Sequence, residues 1–335
     1  MNPDTARIKL LQKTYPRLGM GCWAVGGALN AAKISVGWHR GDDAEACATI
    51  AAAYEAGIRV FDTAAAYGAG HSERLLGEVL KDKEDVFIST KFGVAFDEAA
   101  KQVLGEETSA ESLDAAIEAS RRRMQRDHLD LIFCHLNTGD IDQMLRLFDR
   151  LDDHIAAGRV KSYGWSTDFP DRAEAVGGRE NCIAIQHAMN VFFDAPSQSA
   201  VIEKHGLASF NRGPLAMGLL TGKFSADTQL PDNDIRSNDM DWLDYFKGGR
   251  PSPSLLAKID AVGELLRSEG RSLGQGALAW LWAKNPRTLP IPGAKTVAQA
   301  QENAQALGFG PLSPQVMAEI ETLIGRPEEG EPRER

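Results

Sequence analysis

Four side chains suited to proton transfer lie at or just beyond the ends of three apolar segments. Asp62 ends the run "IRVFD", Tyr67 follows in a loop of alanines and glycines, Lys91 ends "DVFISTK", and His135 lies in "LDLIFCHL". A tyrosine phenol, with its ordinary pKa of about 10, is a weak acid at neutral pH. A nearby ammonium should lower that pKa, a carboxylate should hold the ammonium, and a neutral histidine could orient a carbonyl oxygen. The set therefore predicts chemistry that protonates or deprotonates an oxygen.

Each of these residues also has an ordinary structural interpretation. Asp62 could cap a turn, Lys91 could be solvated, His135 could be a hydrogen-bonded structural residue, and Tyr67 could pack as a lid. Their common position at the ends of successive strands favours the functional interpretation. The sequence has no nucleophile elbow, no cluster of metal ligands and no Walker-type phosphate loop.

Strand-like and helix-like segments alternate along the chain, and this alternation has to position the four side chains. The strand candidates are short and apolar on both faces, as parallel strands covered by helices must be. They span residues 17–23, 58–62, 85–91, 129–136, 162–167, 183–190, 207–211 and 288–292. Helix-period segments lie between them at residues 42–57, 72–82, 109–124, 141–159 and 169–178. Eight strands with intervening helices predict a (β/α)8 barrel, a TIM barrel of the α/β class, whose sites gather at the carboxyl ends of the strands.

A doubly wound sheet is the alternative fold, and the first loop argues against it. No G-x-G-x-x-G motif opens a helix after "RLGMGCWAVGG". The barrel should occupy residues 1–325 as one domain, and the polar segment 326–335 should be disordered. Two long loops, 24–42 and 225–254, should form binding walls at the carboxyl face of the barrel.

Composition limits the classes of function. The chain has 335 residues with a net charge of −10, and no long run of Lys or Arg that would favour nucleic acid or anionic membrane as a partner. No apolar run is long enough to span a bilayer. Four scattered cysteines indicate buried thiols in a reducing compartment rather than a disulfide framework or a zinc site. These features are typical of a cytoplasmic enzyme.

Several motifs together resemble the aldo-keto reductase family. They are "GIRVFDTAAAYGAGHSERLLGEVL", "ISTKFG", "LDLIFCHL", "GRVKSYGWST", "IAIQHAMNVF", "GPLAMGLLTGKF" and "IPGAKTVAQAQEN", in the family's order and spacing from Arg17 to Leu307. The resemblance implies a (β/α)8 barrel that binds NADPH in extended form and reduces an aldehyde, ketone or sugar. It assigns Tyr67 as general acid, Lys91 and Asp62 as the pair that tunes it, and His135 as the group that orients the substrate carbonyl.

The same resemblance implies a set of cofactor contacts. Ser166, Thr167 and Gln186 correspond to residues that bind the nicotinamide carboxamide, and Phe210 to an aromatic ring against the nicotinamide face. Lys295 and Gln299 correspond to the region of the 2′-phosphate. The other implied contacts are Cys22, Trp23, Asp62, Asn211, Arg212, Pro214, Leu215, Gly218, Leu219, Thr221, Lys223, Arg236 (folding over the phosphates), Gly293, Glu302 and Asn303.

Three positions depart from the family's pattern. Thr167 stands where many members have Asn, Met189 where an aromatic residue is common, and Gln299 where Arg is frequent. At the 2′-phosphate the match leaves Lys295 as the one cation, and a single ammonium favours NADPH less strongly than a bidentate Arg would. NADPH is therefore the expected cofactor, and NADH remains possible.

The expected partner is a small carbonyl substrate, with the chain a monomer or a small homo-oligomer. Trp23, Tyr67 and His135 should contact the substrate, and further walls are expected from Trp38, His39, Leu136, Asn137, Trp242, Tyr245 and Phe246, with His39 or Arg250 available to an anionic group. Two other functions remain open. Some relatives of the family are NADPH-binding channel partners, so the chain could be a regulatory sensor. An aldolase with Lys91 as Schiff-base amine is chemically possible, but it leaves Tyr67 unexplained.

Overall fold

The structure is a computed structural model that describes residues 7–32, 34–38, 42–238, 240 and 242–330. The predicted domain 1–325 and the predicted loops 24–42 and 225–254 include a few residues outside these ranges, and two further predictions fall there. These are the assignment of His39 to the pocket wall and the part of the predicted disordered tail at residues 331–335.

Eight parallel strands form the sheet, and each strand pairs with the next one along the chain. They are β1 (Gly19–Gly21), β2 (Val60–Asp62), β3 (Phe87–Phe92), β4 (Leu131–Cys134), β5 (Tyr163–Ser166), β6 (Cys182–Ala188), β7 (Ala208–Arg212) and β8 (Thr288–Pro290). A parallel bridge between Gly21 and Gly293 joins the two edges, and the Gly21 amide donates to the Pro292 carbonyl at 3.0 Å. The predicted (β/α)8 barrel is confirmed, and the doubly wound alternative is excluded by this closure.

Helices cover the outside of the barrel. They are α1 (Asp43–Glu55), α2 (His71–Leu80), α3 (Ala110–Met124), α4 (Ile141–Ala156), α5 (Pro170–Gly177), α6 (Pro196–His205), α7 (Pro253–Leu266), α8 (Leu273–Lys284), α9 (Val297–Gln305) and α10 (Pro314–Leu323). Their starts follow local chemistry: the Ser109 hydroxyl accepts from the Ser112 amide before α3, and Ser272 with Gln275 forms a capping box before α8. The five helices predicted from periodicity all form.

An N-terminal hairpin closes the bottom of the barrel. Its strands, Arg7–Leu10 and Lys13–Pro16, bring Leu10 and Tyr15 into an apolar cluster that includes Val60 and Phe87, the first residues of β2 and β3. The rings of Tyr15 and Phe87 meet edge to face with centroids 5.6 Å apart. Because this end is filled with apolar side chains, the carboxyl ends of the strands form the open mouth.

The two long loops acquire structure that the sequence did not predict. Short strands Asn30–Ala31 and Ile34–Ser35 join Val94–Asp97 and Gln102–Glu106 in a four-stranded sheet. A single helical turn (Trp23–Gly26) precedes it, and the segment 225–254 contains a 3-10 turn (Ile235–Ser237) and a small hairpin (Phe246–Lys247 with Arg250–Pro251). The Asn238 side-chain amide donates to the Ser35 carbonyl at 2.8 Å, so the two loops touch each other.

The first residue of the predicted disordered tail is held by contacts with the barrel. Arg326 Nε donates to the Val191 carbonyl at 2.9 Å, and the guanidinium also pairs with Glu321.

The remaining 3-10 turns are Ala216–Thr221, Ser268–Gly270 and Ala306–Gly308. Within the described ranges, none of the helices has the length and apolar character that crossing a membrane requires.

Candidate active site

Lys91 is the centre of a buried hydrogen-bonded cluster at the mouth of the barrel. Its ammonium donates to Asp62 Oδ2 at 2.8 Å, to the Thr63 carbonyl at 2.6 Å and to the Tyr67 hydroxyl at 3.2 Å. Both partners of the Lys91–Asp62 ion pair are excluded from solvent, with side-chain exposures of 0% and 3%. These three bonds use all three ammonium protons. Because Tyr67 accepts from Lys91, its own phenolic proton remains available to another acceptor.

The second oxygen of Asp62 links the cluster to neighbouring strands. Asp62 Oδ1 accepts from Ser89 Oγ and from Gln186 Nε2, both at 2.8 Å. Ser166 Oγ in turn donates to Gln186 Oε1 at 3.2 Å. The carboxylate is therefore fully hydrogen-bonded, and it is held between β3 and β6. This arrangement fixes the ammonium in one position.

His135 stands beside Tyr67 at the same end of the barrel. The two rings meet edge to face, with centroids 5.9 Å apart and planes at 78°. Burial lowers the pKa of His135 well below 6.5, and the positive charges of Lys91 and Arg212 lower it further. At neutral pH the imidazole is uncharged, so one ring nitrogen can donate a hydrogen bond to an oxygen in the mouth.

The pKa of Tyr67 shifts in the direction opposite to the one expected from sequence. Burial raises the pKa above its ordinary value of 10.0, and Asp62 adds to this, whereas Lys91 lowers it. Burial prevails, so the pKa is raised and the expected net lowering is wrong for this structure. For Lys91 itself, burial lowers the pKa, but Asp62 and Tyr67 outweigh burial and raise it. Both groups hold their protons at neutral pH.

The Tyr67 loop is positioned by two glycines in close approach. Gly68 has a φ of +60°, and a Cβ there would lie 1.9 Å from the Gly26 carbonyl oxygen. A Cβ on Gly26 would in turn lie 3.1 Å from the Cβ of Tyr67. The small side chains between Asp62 and Tyr67 therefore let this loop pack against the turn Trp23–Gly26. That packing places the phenol beside Lys91.

A cluster of cations lies where the resemblance places the cofactor phosphates. Arg236 is buried and forms a two-bond ion pair with Asp234, with N–O distances of 2.8 and 2.6 Å. Its guanidinium also faces the rings of Trp38, Phe224 and Phe246 with centroid distances of 5.1, 5.3 and 5.4 Å. In this structure Arg236 is therefore held by Asp234 and three aromatic rings. Phe246 packs this cation and does not line a substrate pocket.

Lys295 lies close to this pair. Its ammonium is 4.3 Å from the centroid of the Trp38 ring, and its backbone amide donates to Gln299 Oε1 at 2.8 Å. Burial lowers the pKa of Lys295, and the charges of Arg236 and Lys223 lower it further, while Asp234 opposes them. Three cations thus share one carboxylate. A cavity of about 360 Å³ lies alongside, and its lining includes Lys295 together with the acidic side chains Asp42, Asp43, Glu45 and Asp234. Lys295, Arg236 and Lys223 are therefore the cations here that could contact phosphates, whereas the charged lining of the cavity beside them is mostly acidic.

Three predicted cofactor contacts are placed differently from what was expected. Phe210 has 0% exposure and packs edge to face on Phe133 inside the barrel, at 5.4 Å, so no ring face reaches the mouth. The Thr167 hydroxyl donates to the Asn137 carbonyl at 2.8 Å and accepts from the Phe169 amide, which leaves it engaged within the protein. Cys22 is fully buried, and its thiol faces the Met20 carbonyl.

The other predicted cofactor residues surround the mouth in varied states of exposure. Trp23 is partly exposed, and its ring lies 6.1 Å from that of Tyr67. Pro214, Leu215 and Leu219 are buried beneath the turn after β7. The remaining residues have the following contacts or exposure: Asn211 donates to Ser209, Thr221 donates to the Gly218 carbonyl, Asn303 donates to the Gly293 carbonyl, and Glu302 and Lys223 are exposed.

Sequence reasoning missed Ser89 and Asp168, two residues that support this site. Ser89 precedes Lys91 by two positions on β3, and side chains two apart share a face of a strand. That spacing was a usable signal for its bond to Asp62. Asp168, in the loop after β5, pairs with Arg212 at 3.0 Å and also accepts from the Ala188 amide at 2.7 Å. No sequence pattern links these two distant residues. Among the described residues, no group of His, Cys, Asp and Glu could hold a metal ion.

Known proteins resemble this chain along nearly its whole length. A sequence model of the Aldo/keto reductase family matches residues 17–324. A probable voltage-gated potassium channel subunit beta of Oryza sativa subsp. japonica is 28% identical, with 84% of this chain and 88% of the relative covered. The solved glycerol dehydrogenase of Gluconobacter oxydans is 27% identical with a TM-score of 0.78, covering 97% of this chain and 96% of its own. An aldo-keto reductase of Klebsiella pneumoniae, solved in complex with NADPH, shares the fold at 21% identity and a TM-score of 0.69, covering 95% of this chain and 94% of its own.

Proposed function

Because this chain belongs to the aldo/keto reductase family of NADP-dependent oxidoreductases, we propose that it transfers a hydride between NADPH and the carbonyl of an aldehyde, ketone or sugar. Tyr67 serves as the general acid in reduction and as the general base in the reverse direction. The observation that carries the proposal is the orientation of the Lys91–Tyr67 hydrogen bond, in which the phenol oxygen accepts at 3.2 Å.

Proton transfer follows from this orientation. The phenolic proton of Tyr67 is directed to a carbonyl oxygen in the mouth and passes to that oxygen as negative charge develops on it. The phenolate left on Tyr67 is stabilised by Lys91, whose positive charge Asp62 holds in place at 2.8 Å. A neutral His135 donates a second hydrogen bond to the same oxygen and so fixes the orientation of the carbonyl.

The bound cofactor supplies the hydride, which no side chain of the protein can provide. Ser166 Oγ donates to Gln186 Oε1, and Gln186 Nε2 donates to Asp62, so the amide of Gln186 keeps one N–H and part of its oxygen for a carboxamide. Lys295, Arg236 and Lys223 would hold the phosphates. The four cysteines are free, which supports a reducing compartment such as the cytoplasm.

A binding and turnover experiment on one sample tests the proposal. Trp23 and Trp38 lie at the mouth with ring centroids 5.5 Å apart, so quenching of tryptophan fluorescence should report cofactor binding. We expect saturable quenching by NADPH, followed by oxidation of NADPH when carbonyl compounds of different classes are added. Absence of NADPH binding would contradict the proposal. Binding without turnover of any aldehyde, ketone or sugar would favour a regulatory role instead.

The pH dependence of reduction should show a single alkaline limb. Reduction requires the protonated phenol, and since the pKa of Tyr67 is raised above 10.0, the rate should fall only at strongly alkaline pH. His135, with a lowered pKa, should add no inflection near pH 6.5. Alcohol oxidation requires the phenolate and should rise toward high pH. A kcat profile in both directions measures this; a reduction rate that increases with pH would contradict the assignment of the acid.

Lys295→Ala should weaken NADPH binding selectively. A charge-assisted bond to the 2′-phosphate contributes about 1.5–3 kcal/mol, so the Kd of NADPH should rise about tenfold or more. The Kd of NADH, which lacks this phosphate, should change by less than about twofold on the same reasoning. Calorimetric titration with both cofactors measures the difference, with Lys9→Ala, an exposed lysine of the N-terminal hairpin, as control. Equal losses for the two cofactors would refute the phosphate assignment.

Two other functions have less support. The role of a channel subunit is supported by the rice relative at 28% identity. Such a subunit should have an exposed apolar surface on which its partner docks. Of the exposed large hydrophobic side chains in the described ranges, Ile34 and Leu104 share the added sheet, whereas Phe193 follows β6 and Leu323 ends α10. A Schiff-base amine must be neutral, whereas the ion pair with Asp62 raises the pKa of Lys91.

A further inference from the structure

The four-stranded sheet outside the barrel, the added sheet, covers the loop that carries the general acid; its strands are Asn30–Ala31, Ile34–Ser35, Val94–Asp97 and Gln102–Glu106. Ala66 and Ala69, on either side of Tyr67, are buried in one apolar cluster with Leu29. The side chains that pack against this cluster lie on the added sheet or next to it: Val36, Val94, Phe96 and Val103. The position of the Tyr67 loop therefore depends on a sheet that is not part of the barrel.

A lysine of the added sheet also binds the backbone of this loop. Lys101, in the turn that precedes the strand Gln102–Glu106, donates from its ammonium to the Gly68 carbonyl at 2.5 Å. Gly68 directly follows Tyr67 in the chain. The carbonyl of Lys101 accepts from the Asn30 amide at 2.9 Å, so the same residue joins the two segments that form the sheet. Lys101 thus connects the added sheet to the residue next to the general acid.

The turn that carries Lys101 is itself fixed by two sets of contacts. Asp97 Oδ1 accepts from two backbone amides of the turn, both at 2.8 Å. Glu98 pairs with Arg123 at 3.0 Å, and Arg123 pairs in turn with the buried Glu73 at 2.6 Å. Glu73 lies in the first turn of α2, the helix that begins after the general-acid loop. The Lys101 ammonium therefore binds Gly68 from a fixed position.

The hydrogen bond between Tyr67 and Lys91 tolerates little displacement of the loop. At 3.2 Å it is the longest of the three bonds that the Lys91 ammonium makes, and it lies at the upper end of the normal N–H···O range. On the side toward Gly26 the loop is already in close approach, since a Cβ at Gly68 would lie 1.9 Å from the Gly26 carbonyl oxygen. A loop released by Lys101 could therefore move only away from this contact, and the phenol would move with it.

We propose that Lys101 is a positioning residue for proton transfer, because its bond to the Gly68 carbonyl keeps the Tyr67 phenol within hydrogen-bond reach of Lys91. This inference rests on the proposed function, in which Tyr67 is the general acid. Lys101 acts on the reaction through the backbone next to Tyr67. A displacement of about 1 Å in a reacting group can lower the rate about 100-fold, so even a partial release of the loop should be measurable.

Lys101→Met tests this inference, because methionine keeps most of the apolar stem and removes the donor. The full-length variant is loaded with NADPH and mixed with the aldehyde that the unmodified chain reduces fastest. The single-turnover rate should fall about tenfold, while the Kd of NADPH stays within about twofold of the original. Lys101→Arg, which restores a cationic donor, should recover most of the rate. Lys13→Met is the matched control and should keep the original rate, because Lys13 also donates to a backbone carbonyl, that of Glu84 at 3.0 Å, but at the closed end of the barrel.

A double-mutant cycle separates positioning of the acid from general support of the fold. In Tyr67→Phe the phenolic hydroxyl is absent, so adding Lys101→Met should change the residual single-turnover rate by less than about twofold. An equal loss with and without the hydroxyl would overturn the inference, and so would an unchanged rate in Lys101→Met alone. Either result would leave the reductase assignment standing. The original rate in Tyr67→Phe would instead refute the proposed function.

Discussion

Tyr67→Phe should reduce the kcat of carbonyl reduction by a factor of about 100 to 10,000, the usual contribution of a positioned general acid. The substitution removes one oxygen and leaves the ring that packs against Trp23 and His135. NADPH affinity should stay within about twofold of the original, because loss of an interaction made only in the transition state leaves ground-state binding unchanged. Single-turnover mixing of the enzyme–NADPH complex with an aldehyde measures the chemical step directly.

The matched control for this substitution is Tyr54→Phe. The Tyr54 hydroxyl donates to Asp85 at 3.0 Å, and Asp85 lies just before β3 at the closed end of the barrel. Loss of the Tyr54 hydroxyl should leave the rate of reduction unchanged. If Tyr67→Phe retained the original rate while Tyr54→Phe did too, another group would have to supply the proton.

Lys91→Met should have the second large effect, on both turnover and stability. Removing the ammonium leaves Asp62 buried with an uncompensated charge, and breaking a buried ion pair in this way typically destabilises a protein by about 3–5 kcal/mol. Turnover should also fall, since the phenolate formed on Tyr67 loses its stabilising cation. Urea unfolding followed by tryptophan fluorescence gives the free energy of unfolding, and steady-state assays give kcat.

A double-mutant cycle separates these two consequences. Adding Asp62→Asn to Lys91→Met removes the orphaned charge while keeping an amide near Ser89 and Gln186, so part of the lost stability should return. Turnover should remain low because the cation is still missing. If the double variant were less stable than Lys91→Met alone, the ion pair would not be the source of the destabilisation.

The barrel could be predicted from sequence because its strands are buried on both faces. Every residue of β4 from Leu131 to Cys134 is apolar and buried, and such continuous apolar runs are visible without a structure. The added sheet was not predicted, since Val94–Asp97 and Gln102–Glu106 have no fully buried residue and each ends in an exposed acidic side chain. Short, polar strands of this kind are fixed by pairing with a neighbour, and a single sequence does not reveal that neighbour.

For the site, too, some features could be predicted from the sequence and others could not. Asp62, Tyr67, Lys91 and His135 were found from their positions at strand ends, and the structure brings them together. Assigning an aromatic platform to Phe210 failed because residues two apart on a strand share a face, so sequence alone could not decide which of Phe210 and Arg212 reaches the mouth. The direction in which the pKa of Tyr67 shifts also could not be predicted from sequence, since it depends on how completely the phenol is buried.

The approach of Gly26 to Gly68 has a consequence for how this protein tolerates mutation. In a saturation library, Gly68 should accept little besides glycine, because its φ is +60° and a Cβ there would lie 1.9 Å from the Gly26 oxygen, whereas a Cβ on Gly26 would lie 3.1 Å from Tyr67 and should be better tolerated. Neither residue has a side chain that could touch a reactant. A fitness map would nevertheless mark Gly68 as strongly as the reacting groups themselves, and Gly26 less strongly. The tolerance of mutations around this mouth therefore reflects the geometry of the backbone as well as the chemistry of the site. A glycine-to-alanine change that is harmless elsewhere would act as a loss-of-function allele at Gly68.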